Sequence, residues 1–336
     1  MTVVGPFGLS VRDQALETDV QTGLAAVEAG LLEATKSDVP FITEAAQHLV
    51  RAGGKRFRPL LTMLAAQFGD PHAPGIVPSA VVVELTHLAT LYHDDVMDEA
   101  DVRRGVPSAN ARWDNSVAVL TGDFLFARAS HILADLGPAA VRIQAEAFER
   151  LVTGQILETA GPGAGDDPVE HYLNVISGKT GSLIAVAGRF GAMMSGADEA
   201  VVDVLTQYGE RLGTAFQLAD DVLDVASDSH ESGKTPGTDL REGIPTLPVL
   251  RLRELVAAHG RPEDVALSAL LDGDLSDDAR LADALAGLRA HPALERARKD
   301  TVRYAQQARA LLTPLPDGGA KTALAELCDM VVHRAG

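Results

Sequence analysis

Apolar residues recur three or four positions apart along almost the whole chain, a spacing that gives a helix one buried face. Leu16, Val20, Leu24, Val27 and Leu31 set the pattern near the start. It predicts helices over 11–36, 40–52, 56–68, 76–99, 113–135, 138–160, 168–195 and 197–225. Shorter helices follow over 246–258, 262–272, 276–290, 292–313 and 318–333. Gly137-Pro138, Gly161-Pro162-Gly163 and Gly196 break the pattern, and a polar, Gly/Pro-rich loop fills 226–245. Hydrophobic residues make up 46% of the 336 but aromatics only 4%, so the core must be built from alanine, leucine and valine. Alanine and leucine favour helix, and runs of strand-forming residues are few. No composition shift marks a boundary, so one all-α domain over 1–336 is expected.

The formal net charge of −18 repels phosphate backbones and argues against nucleic-acid binding. One cysteine, Cys328, allows neither an internal disulfide nor a cysteine metal site, which suits a reducing cytoplasm. The opening MTVVGPFGLSVRDQ has no basic stretch before an apolar run, so no signal peptide is expected. No run of about 18 uninterrupted apolar residues appears, so no membrane span is expected either. Peripheral membrane contact stays open.

One short duplication carries chemistry: DDVMD at 94–98 and DDVLD at 220–224. On a helix, Asp94 and Asp98 share a face, with Asp95 beside them, and the geometry repeats at Asp220, Asp221 and Asp224. Like charges at that spacing destabilise a helix, and both clusters fall near predicted helix C-termini, where the backbone dipole disfavours anions further. Two such arrangements call for a cation. Magnesium fits best, a hard ion that takes carboxylate oxygens and bridges to substrate phosphates.

Three of the six lysines directly follow glycine: Gly54-Lys55, Gly178-Lys179 and Gly233-Lys234. Glycine lets the backbone approach an anion, lysine gives a point charge, and Arg58, Arg103 and Arg104 offer forked contacts to phosphate. GKT at 178–180 and 233–235 raises a nucleotide P-loop. That motif needs a further glycine where this chain has Leu173 and Asp228, so both copies fail.

Together these motifs resemble the trans-prenyltransferases, the polyprenyl synthetases. GGKRFRP at 53–59 is similar to their isopentenyl-diphosphate segment, and HDDVMDEADVRRG at 93–105 to their first aspartate-rich motif. GKTG at 178–181, FQLADDVLD at 216–224 and GKTPGTDLREGIPTLPVL at 233–250 follow in the family's order. The resemblance covers roughly residues 50–250. It implies the isoprenoid synthase fold, a single helical bundle around a central cavity, and a homodimer.

It also implies roles. Asp94, Asp98 and Asp220 would hold magnesium, three ions per site with Mn²⁺ as an alternative, assisted by Asp95, Asp221 and Asp224. Lys55, Arg58, His87 and Arg104 would bind isopentenyl diphosphate. Arg103, Lys179, Lys234 and Gln217 would serve the allylic diphosphate. Thr180 and Gln217 would turn oxygens toward the carbocation. Leaving of diphosphate creates concentrated negative charge, which cations fixed in advance stabilise as it develops. The departed diphosphate is the expected base, so no side-chain nucleophile is required.

The product is expected to grow along the helix of the first motif. Five and four residues before Asp94 stand Ala89 and Thr90, where the family's short-chain enzymes tend to place a bulky aromatic. With no such plug, the path would continue past Leu85, Thr86 and Val82, and Tyr92 is expected to point off the Ala89 face. The resemblance to the family's long-chain members implies a product of about seven to ten isoprene units, a helical turn rising by roughly the length of one unit. A quinone side chain, as in menaquinone, is its natural destination. Alternatives are a C15–C20 synthase, a phosphohydrolase using the His93-Asp94 doublet, a non-catalytic partner subunit and a terpene cyclase. The phosphohydrolase lacks a recognisable histidine set, the subunit would be expected to lose an aspartate motif, and the cyclase has no use for GGKRFRP.

Overall fold

A computed structural model describes residues 2–4, 9–11, 13–227 and 236–335. Helix begins where a side chain can accept the first free backbone N–H groups. Asp13 does so for α1 (Gln14–Ala34), accepting from Ala15 and Leu16. The chain continues through α2 (Pro40–Arg51), α3 (Phe57–Ala66), α4 (Ile76–Met97), α5 (Ala109–Arg112) and α6 (Asn115–Leu136). Then come α7 (Pro138–Ala160), α8 (Pro168–Ile176), a π-helical turn (Ser177–Gly181), α9 (Ser182–Met194) and α10 (Glu199–Ala226). The remainder is α11 (Thr238–Arg241), α12 (Leu247–His259), α13 (Pro262–Leu271), α14 (Asp278–Ala290), α15 (Pro292–Leu311) and α16 (Gly319–Ala335). Strand is confined to two antiparallel hairpins, β1 (Thr2–Val4) with β2 (Leu9–Val11) and β3 (Val102–Arg103) with β4 (Val106–Pro107).

The all-helical expectation holds. Two differences have local causes. The helix expected over 168–195 is interrupted by the π turn, where Gly178 and Gly154 of α7 allow a close approach described below. The second hairpin follows the acidic end of α4, where Arg104 takes φ 54° and Gly105 φ 77°, a reversal that helix cannot make.

The chain divides into two compact units. The first holds 1–149, 183–209 and 311–326. Its centre is α4, packed on α6, α1 and α3. The α4 residues Val82, Leu85, Leu88, Ala89 and Tyr92 are fully buried. Distant segments of this unit are tied by polar contacts: Thr62 donates its hydroxyl to the Ala187 carbonyl at 3.1 Å, and Tyr208 to that of Leu324 at 2.7 Å. The second unit holds 150–182, 210–310 and 327–336. There α12 packs on α13 and α8, and α13 on α14. Arg289 donates to the Val225 and Ser227 carbonyls at 2.7 and 2.6 Å, closing the end of α10.

By length and composition α6 is apolar enough to cross a membrane, but a third of its most apolar window is buried inside the fold. It also carries Asp123, Arg128 and Asp135.

Candidate active site

In the first unit the sequence-selected cations gather at the end of α2. Gly53 and Gly54 take φ 85° and 150°, turning the chain so that Arg104 can lie against Gly54. A β-carbon on Gly54 would stand 2.9 Å from the Arg104 guanidinium carbon. Arg104 donates to the Leu49 carbonyl at 3.1 Å and to that of Gly53. Arg56 donates to the Val50 carbonyl at 3.0 Å and pairs with Glu28 and with buried Glu84, the latter at 3.0 Å. Neither Arg56 nor Glu84 was singled out by sequence; a lone glutamate inside the apolar run VVVELTHL was the available signal.

Arg58 keeps a buried Nε with no hydrogen-bond partner. Burial lowers its pKa to about 10, Glu84 opposing and Arg104 reinforcing the shift. It remains charged at neutral pH, a desolvated cation with an unused donor. His87 lies in the same field. Burial, then Arg58, Arg104, Arg56 and Arg103, hold its pKa well below the ordinary value, so the ring is neutral and has one N–H to give. Arg58, His87 and Arg104 are thus brought together as expected, and Lys55 is exposed at their edge.

Two turns along α4 stand the first aspartates. Asp95 is fully buried. Burial raises its pKa, against the pull of Arg103, which donates from Nε at 2.5 Å. Arg103 also lies 3.7 Å from exposed Asp98. Asp94 is half-buried. Asp95 Oδ2 is buried and has no hydrogen-bond partner. His93 turns away from Asp94 toward α6, its Nε2 3.1 Å from the Val119 carbonyl and 3.5 Å from Asp123. A His93-Asp94 metal doublet finds no support there. Tyr92 points off the Ala89 face, as expected, into α2. Ala89 is fully buried, Thr90 donates to the His87 carbonyl at 2.8 Å, and Thr86 accepts from the buried amide of Gln144 at 2.9 Å.

In the second unit α10 carries the other cluster. Asp221 is buried, accepting from Gln217 Nε2 at 2.9 Å and from the Tyr172 hydroxyl. Burial pushes its pKa up to about 6, with the two hydrogen bonds opposing and Asp220 and Asp224 adding to the rise. Gln217 accepts the Thr180 hydroxyl at 3.1 Å on its other amide end. A single chain of contacts therefore joins Thr180, Gln217, Asp221 and Tyr172. Asp224 accepts from the Thr238 and Asp239 amides at 3.2 Å each. Asp220 pairs with Arg334 at 3.0 Å, and that guanidinium also stacks on Phe216 at 4.8 Å. Lys179 pairs with Glu158 at 2.6 Å. Tyr172, Glu158 and Arg334 were not predicted, and 260–336 carried no sequence motif at all. Lys234 lies outside the described residues.

Both acid clusters hold guanidinium counter-charges, Arg103 on one and Arg334 on the other. Among the described residues no three His, Cys, Asp or Glu side chains converge enough to hold a metal by themselves. That donor set fits magnesium, which takes one or two carboxylates and completes its shell with water and substrate phosphate. The unpartnered, buried Asp95 Oδ2 is a ready oxygen ligand of that kind.

Residues 39–287 match the sequence profile of polyprenyl synthetases. The chain belongs to the polyprenyl synthetase family. A nonaprenyl diphosphate synthase of Mycobacterium tuberculosis is 50% identical over 98% of this chain and 97% of its own length. Among solved structures, a geranylgeranyl pyrophosphate synthase from Corynebacterium glutamicum, complexed with calcium and isoprenyl diphosphate, is 45% identical. It aligns with a TM-score of 0.87 over 98% of this chain and all of its own. A decaprenyl diphosphate synthase from Rhodobacter capsulatus is 38% identical, with a TM-score of 0.86 over 96% of this chain and 99% of its own. This polyprenyl synthetase is therefore a prenyltransferase with the all-α isoprenoid synthase fold, and by sequence it sides with the long-chain, all-trans type. Like its family it is an enzyme of divalent metal ions and prenyl diphosphates.

Proposed function

We propose that this polyprenyl synthetase condenses isopentenyl diphosphate head-to-tail onto an allylic diphosphate, and stops at about seven to ten isoprene units. The observation that carries the reading is the cradle at the end of α2. Arg58 offers a buried, unpartnered donor beside neutral His87 and tethered Arg104. Such a cradle suits a dense anion and discriminates little against the apolar remainder of the molecule. Asp94, Asp95 and Asp98, and Asp220, Asp221 and Asp224, would hold magnesium, whose chemistry is to neutralise the diphosphate as its carbon–oxygen bond breaks. Lys179 and Arg103, and Lys234 by resemblance, would bind the allylic diphosphate once drawn from their present carboxylate partners. Gln217 retains one carbonyl lone pair beyond the bond from Thr180, an oxygen available to a developing cation.

The long product rests on Ala89, which puts only a methyl group five residues before Asp94 on the same helix. The two solved relatives compared above are a geranylgeranyl and a decaprenyl enzyme, so chain length is the point to measure. The enzyme would work as a homodimer in the cytoplasm, supplying quinone side chains. Purified protein with Mg²⁺, labelled isopentenyl diphosphate and allylic primers of five to twenty carbons should give a ladder ending beyond twenty-five carbons. A stop at fifteen or twenty would overturn the chain-length reading, and no incorporation would overturn the proposed catalysis by this chain alone.

A further inference from the structure

Tyr92 is fully buried, two residues before the first aspartate motif, and its hydroxyl is embedded in a neighbouring helix rather than in the site. It accepts from the Leu49 amide at 3.2 Å and donates to the Ala45 carbonyl at 2.6 Å. Those two groups are four residues apart in α2, the donor and acceptor of one rung of its own ladder. A side chain inserted into such a rung is a recognised cause of local helix bending, and here it ties that turn of α2 to α4.

The far end of α2 is the diphosphate cradle. Leu49, which gives its N–H to Tyr92, gives its carbonyl to Arg104 at 3.1 Å. One residue on, Val50 accepts from Arg56, and Gly53 accepts from both arginines. One phenol thus connects the helix turn bearing Asp94 and Asp95 with the backbone that aims Arg104.

We propose that Tyr92 is a positioning residue that registers the isopentenyl-diphosphate cradle of α2 against the aspartate turn of α4. It touches no substrate and acts through Leu49 and Arg104. The inference rests on the reading of Arg58, His87 and Arg104 as that cradle.

Tyr92→Phe removes only the hydroxyl. It keeps the ring in its buried place, and Leu49 N–H and Ala45 C=O, freed of the hydroxyl, can bond to each other as helical partners. The melting temperature should therefore change little. KM for isopentenyl diphosphate should rise about fivefold, while KM for the allylic substrate stays near wild type. A purely structural role would lower the melting temperature or move both constants together, and either result overturns the proposal. Arg58→Ala, measured alongside by calorimetric binding of isopentenyl diphosphate, separates the two readings. If Arg58→Ala weakens binding and Tyr92→Phe does not, the cradle stands and the tyrosine role falls. If neither weakens it, the cradle is misassigned and the inference falls with it.

Discussion

His87 is held neutral by its surroundings, and this has a consequence for stability. Its folded pKa lies well below 6.5, through burial and the nearby arginines, whereas the unfolded chain takes up the proton near 6.5. Below that pH the unfolded state binds more protons, so His87 contributes stability above about pH 6.5 that is lost as the pH falls toward its folded pKa. His87→Gln has no such proton to take up. Comparing melting temperatures from pH 7.5 to 5, the wild type should lose ground to His87→Gln as the pH drops; a constant gap would mean the imidazole is not held neutral. The residues that sequence exposed at this scale are those whose type and local spacing carry the chemistry: Asp94 and Asp98 on one helix face, Lys55 beside a glycine pair. What it hid are residues whose meaning lies in a partner brought close by folding. Arg334 matters because it meets Asp220, Tyr172 because it meets Asp221, and Arg56 because Glu28 and Glu84 neutralise it. No periodicity encodes such pairs.

The π turn at Ser177–Gly181 gives Lys179 and Thr180 their directions. Turns of this kind cost hydrogen-bond geometry and collect at functional sites. Periodicity predicted a helix straight through it, because one extra residue in a turn shifts the apolar pattern too little to register. The cause is contact. Gly154 on α7 lies against it so closely that a β-carbon there would be 2.8 Å from the Lys179 amide, and one on Gly178 would be 2.9 Å from the Arg150 carbonyl. Neither obstacle is a flexible side-chain tip, so the backbone itself would have to move. Gly154→Ala should cost about 1–3 kcal/mol of stability. By displacing Lys179 and Thr180 it should also lower kcat about tenfold or more. Thermal denaturation and steady-state kinetics on the folded variant would check both, and unchanged kcat would show that the turn does not aim those side chains. The other long helices are legible nearly to their ends, because caps such as Asp13 and Asp114 and breakers such as Gly137-Pro138 are local, whereas the short α5 and α11 and the two hairpins have no periodicity to read.

At the scale of the molecule, the least explained feature is the outer side of α6. The most apolar part of that helix is only one-third buried, and Leu120 is 66% exposed with Val119 beside it. Val141, just beyond the turn into α7, is also exposed. Exposed apolar side chains gathered into a patch mark surfaces that a partner covers. A membrane would have to accept Asp123, Arg128 and Asp135 within the same helix, which is costly. A second copy of this chain asks for no such burial, and fits the proposed homodimer. Association has a cost of its own, because each copy carries a formal charge of −18. Repulsion between two such bodies is screened by salt. The dimer should therefore tighten between 20 mM and 300 mM salt, about one Debye length at 0.1 M being 10 Å. Leu120→Asp would put a carboxylate where a leucine is covered, and should weaken the dimer about a hundredfold or more. Analytical ultracentrifugation at both salt concentrations reads the two effects together. If the wild type sediments as a monomer under all conditions, the α6 face has some other partner. If Leu120→Asp leaves a wild-type dimer intact, the copies meet elsewhere.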